Sequence, residues 1–71
     1  MRTIHTTDLS RQGNDCYITE SVSLIEDHEI YNVIVVREVT GWFSDLDMTI
    51  GKPTKKFNEA LKAYKFAGGM V

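Results

Sequence analysis

One cysteine, one proline and no apolar run longer than the four residues 33–36 are the first constraints that this 71-residue chain imposes. The lone Cys16 cannot form an internal disulfide and cannot supply a CxxC metal cage. Small secreted domains usually rely on several disulfides, so the expected setting is a reducing, cytoplasmic one. A run of four falls far short of the roughly 20 apolar residues that cross a bilayer, and residues 1–8 contain no apolar leader segment. A soluble chain with no membrane partner is expected. Glycine-rich phosphate loops and nucleophile elbows are missing as well. An enzyme is therefore the least expected class, and neither a cofactor nor a metal is expected.

What is present fits one small domain spanning residues 1–71. Its 42% hydrophobic and 25% charged residues are those of an ordinary folded protein, although a chain this short buries only about 60% of its unfolded surface. The net charge of −2 conceals a division. Residues 1–51 hold three arginines against nine carboxylates, a balance of −6, whereas residues 52–71 hold five lysines against one glutamate, +4.

The densest β-branched run, residues 31–39, reads as a central strand. Before it, Cys16, Ile18, Val22 and Leu24 alternate with Tyr17, Thr19, Ser21 and Ser23, the period-2 pattern of a half-buried strand that only Glu20 breaks. If residues 26–29 form the turn between them, Ile25 meets Ile30, Leu24 meets Tyr31, Val22 meets Val33 and Ile18 meets Arg37. A second reversal at residues 40–43 leads to a strand over 45–50, predicted to set Leu46 against Arg37, Met48 against Val35 and Ile50 against Val33. That register adds all three apolar residues to the core face. Residues 1–14 are weakly patterned, with an edge strand over 2–6 the only candidate element.

Pro53 is tolerated in a first helical turn and Gly68-Gly69 is a helix stop, so a helix is predicted over residues 54–67. Phe57, Ala60, Leu61 and Tyr64 fall on one stripe facing the sheet; Lys55, Lys56, Glu59 and Lys62 fall on the other side. On this reading Leu61→Ala costs about 2–5 kcal/mol. The predicted fold is α+β: a small antiparallel meander of three to four strands with one C-terminal amphipathic helix on one face.

The residues that invite a functional reading form four groups. His5 lies in the weakly patterned N-terminal segment, and about nine strand residues at roughly 3.3 Å each separate Cys16 from the turn that carries His28, too far for a Cys–His dyad. Asp45, Asp47 and Glu38 would share the solvent face, where three carboxylates read as a solvated surface rather than a cation site. Glu20 and Arg37 interrupt the core face within reach of each other. Finally, Ile34 and Val36 point to the uncovered back of the sheet, with Trp42, Phe43 and Phe66 as further apolar candidates for contact with a partner. The expected function is a non-enzymatic protein–protein interaction module, a small regulator or inhibitor of bacterial or phage type, with an unidentified protein partner and a tendency to homodimerise. The alternative is a nucleic-acid-binding module using Lys52, Lys55, Lys56 and Lys62, because phosphate contacts need clustered positive charge.

Overall fold

The computed structural model describes residues 1–41 and 44–71. Five strands and a helix follow in chain order: β1 (Arg2–Asp8), β2 (Arg11–Gly13), β3 (Cys16–Asp27), β4 (Ile30–Gly41), β5 (Asp45–Ile50) and α1 (Phe57–Phe66). All pairings are antiparallel, in the order β1-β3-β4-β5, with β2 also on β3. The α+β class expected from the sequence is the class observed.

The β3–β4 hairpin turns on two residues rather than four. His28 and Glu29 both have positive φ, 51° and 66°, the signature of a type I′ turn, whose twist matches that of the flanking strands. Neither residue is the Asn or Gly that usually occupies such a turn. The shorter turn displaces the predicted register by two residues: Leu24 faces Val33, Val22 faces Val35, Ile25 faces Asn32 and Ile18 faces Val39. An even displacement leaves every side chain on its predicted face. Val22, Leu24 and Val33 accordingly form the core with Ala60 and Tyr64 of α1.

β1 and β2 behave as one strand interrupted at Leu9 and Ser10. Leu9 N–H still bonds to Glu20 O at 2.7 Å, but Ser10 turns its backbone N–H and hydroxyl onto the Asp8 carboxylate. Those two hydrogen bonds hold the Asp8 carboxyl below its usual pKa. A second irregularity lies between Thr3 and His5, where the register shifts and Ile4 is left over to pack against the core.

α1 starts later than predicted because Thr54 is still engaged with β4. The N–H and C=O of Thr54 exchange hydrogen bonds with Tyr31, at 2.9 and 2.7 Å, so the helix begins at Phe57. Ala60 and Tyr64 are buried, Phe57 meets Tyr31 edge-on at 5.4 Å, and Leu61 is only half-buried. The Tyr64 hydroxyl is bonded to the Thr7 hydroxyl, which also accepts the Met70 N–H at 2.9 Å. The tail after the helix is thereby sewn to β1.

Three outcomes are expected in thermal denaturation. Tyr64→Ala should remove about 3–5 kcal/mol, whereas Leu61→Ala should fall below the usual range for a fully buried leucine. Replacing the turn pair by His28→Asn with Glu29→Gly should stabilise by about 1 kcal/mol and raise the midpoint about 4–8 °C. An unchanged or lowered midpoint would mean that the positive φ values carry no strain.

Candidate interaction surface

The β4–β5 register decides which residues reach the surface. It pairs Ile34 with Ile50, Val36 with Met48, Glu38 with Leu46 and Arg37 with Asp47. This differs by one residue from the predicted register, and an odd displacement inverts a strand. Leu46, Met48 and Ile50 therefore do not join the helix-covered face. They lie on the back of the sheet beside Ile34 and Val36, exposed to 66%, 57% and 61%.

The order of charges along the two strands favours the observed register. The predicted register set Glu38 against Asp45, two like charges directly opposite, and gave Arg37 an apolar neighbour. The observed one sets Arg37 between Asp47 on β5 and Glu20 on β3. Cross-strand charge matching was the sequence signal that could have found this surface.

The back now carries a contiguous apolar band of Ile34, Val36, Leu46, Met48 and Ile50, flanked by Ser21, Ser23, Thr19 and Glu38. Among the described residues none packs over it: α1 contacts β3 and β4 from the opposite face. Ile34 and Val36 are half-buried there, on the face the sequence placed them. Phe66 is 95% exposed but stands on the outer side of α1, across both layers from the band. Trp42 and Phe43 lie outside the described residues.

The other candidate groups do not assemble. Cys16 and His28 stand at opposite ends of the β3–β4 hairpin, while His5 stacks on Tyr64 with ring centroids 5.9 Å apart. Asp45 and Asp47 share the helix-side face and Glu38 the back, contrary to the predicted triple of carboxylates. Glu20 is directly opposite Arg37, yet its carboxylate takes Arg11 Nη1 of β2 at 2.9 Å, a partner that sequence reasoning missed. Lys52, Lys55, Lys56 and Lys62 are all exposed, but they are interleaved with acids. Lys55 lines a surface depression with Glu26 and Glu29, and Lys56 lies 3.8 Å from Glu59.

No helix among the described residues is long and apolar enough to cross a membrane. Comparison of the chain with protein-family models, curated proteins and solved structures finds no match.

Because Met48 and Ile50 are well exposed, Met48→Lys and Ile50→Lys should each change stability by no more than about 0.5 kcal/mol. The same variants should sharply reduce binding of an apolar dye by the native protein. Marked destabilisation by either variant would place these side chains in the core instead.

Proposed function

We propose that the chain is a small non-enzymatic interaction module, acting as a regulator or inhibitor, that binds another protein through the apolar back of its sheet. One observation carries this reading: five apolar side chains from two adjacent strands form a continuous band that no described residue covers. Scattered exposed apolar residues are ordinary on protein surfaces, but a contiguous patch rimmed by polar residues marks an interaction site. The polar margin of serines, threonine and Glu38 fits the anatomy of such a site, whose centre is poor in charge.

The lysines of the C-terminal third support nucleic-acid binding less well. Glu26, Glu29 and Glu59 stand among them and weaken the local positive field.

Capture from a lysate of the source cell tests the reading, with native protein compared against Met48→Lys/Ile50→Lys and Lys55→Glu/Lys62→Glu. A protein that co-purifies with the native chain and with the lysine-reversed variant, but not with the back-face variant, is the expected outcome. The interaction should also survive added salt, since apolar contacts are not screened. Co-purifying nucleic acid that is lost with salt and with the lysine reversals would overturn it.

A further inference from the structure

The back-face band runs out to β5, and among the described residues no strand pairs with the outer edge of β5. Gly51 N–H bonds to Val33 O at 2.8 Å, so the odd-numbered residues of β5 turn their backbone groups toward β4. By the alternation of an antiparallel ladder, Leu46, Met48 and Ile50 turn their N–H and C=O groups outward. The opposite edge of the sheet is defended: β1 carries the irregularity at Ile4 and the break at Leu9 and Ser10, and β2 is three residues long. β5 runs six residues without a bulge, a proline or a lysine.

The sequence of this edge is self-complementary. Leu46-Asp47-Met48-Thr49-Ile50 has the same apolar and polar order read in either direction. We propose that β5 pairs antiparallel with β5 of a second copy about a two-fold axis through Met48, joining the two sheets into one. In this register Met48 faces Met48 of the partner copy, Leu46 faces its Ile50, and Asp47 faces its Thr49. The outward groups of Leu46, Met48 and Ile50 exchange about six backbone hydrogen bonds with those of the second copy.

Shifting the axis to Asp47 would place the two Asp47 carboxylates directly opposite, a like-charge pair that disfavours that register. Shifting it to Thr49 would leave Leu46 facing Lys52 and lose a third of the hydrogen bonds. The Met48 axis also brings the acidic start of one β5, at Asp45, to the Gly51–Lys52 end of the other. The two apolar bands then lie on one side of the joined sheet. The proposal thus rests on the back-face reading and extends it: the protein partner meets a doubled, two-fold symmetric band.

The test combines sedimentation of the full chain, from micromolar to millimolar concentration, with oxidative cross-linking in a Cys16→Ser background. A mass twice the 8.1 kDa monomer is expected at the upper concentrations. Met48→Cys should form a covalent dimer readily, since facing residues of a hydrogen-bonded pair lie within the Cα separation that a disulfide spans. Asp45→Cys should cross-link far less, because it faces Gly51 of the other copy.

Met48→Pro removes only an outward N–H, which the β4 ladder does not use. It should keep the native circular-dichroism spectrum while weakening association about tenfold or more. Thr49→Arg, which sets a cation opposite Asp47 of the second copy, should tighten association, which keeps the proposal testable should the proline variant fail to fold. A native chain that stays monomeric throughout, or a dimer that cross-links through Asp45→Cys as readily as through Met48→Cys, overturns the pairing. Capture of another protein by a monomeric chain would leave the back-face reading standing, so the two failures are distinct.

Discussion

Everything in this fold hangs on the ladder between β3 and β4, and the ladder hangs on a turn of two residues. His28 and Glu29 adopt left-handed backbone conformations that cost free energy for residues with a Cβ. They are held there because twelve facing pairs run from Asp27 and Ile30 to Cys16 and Gly41. That ladder sets Val22, Leu24 and Val33 on one face, where Ala60 and Tyr64 seal them, and Ile34 and Val36 on the other. β1 is hung on β3 and β5 on β4, so each inherits its sidedness from the same hairpin.

The parity of side chains explains how much of this could be read from residues alone. The alternation from Cys16 to Leu24 and the β-branched run after Tyr31 disclosed the two long strands and their inward faces. A two-residue difference at the first turn keeps every side chain on its face, because side chains repeat every second position. A one-residue difference at the second reversal carries Leu46, Met48 and Ile50 to the other side. Loop length is poorly encoded where no Asn-Gly pair marks the turn, and both registers look plausible if apolar content is the only criterion. The charges of Arg37, Glu38, Asp45 and Asp47 discriminate between them. The helix stripe was legible at Ala60 and Tyr64, whereas the late start at Phe57 depends on a long-range bond from Thr54 to Tyr31 that no local pattern reveals.

Among the described residues the apolar back is left uncovered for a geometric reason. A twelve-residue strand at roughly 3.3 Å per residue extends about 40 Å, which matches the 41 Å long axis of the molecule. A ten-residue helix extends about 15 Å. It can cover the Val22, Leu24 and Val33 region but not the sheet's far end, and being a single helix it can serve only one face. The β5 residues, all six exposed, lie beyond its reach on both sides.

The same mismatch in length grades the molecule along its axis. Near the His28 turn, the β3–β4 ladder is clamped between β1, Thr54 and a helix whose tail is tied back through Thr7 and Met70. Beyond Glu20 and Arg37 none of the described residues forms a layer over it, and it is secured by its own backbone bonds, the three residues of β2 and the pairing of Glu38 and Val39 with the start of β5. Local opening is cheapest where buried contacts are fewest. The Cys16 and Gly41 end is therefore expected to open first, its amide protons exchanging with solvent faster than those of the clamped half.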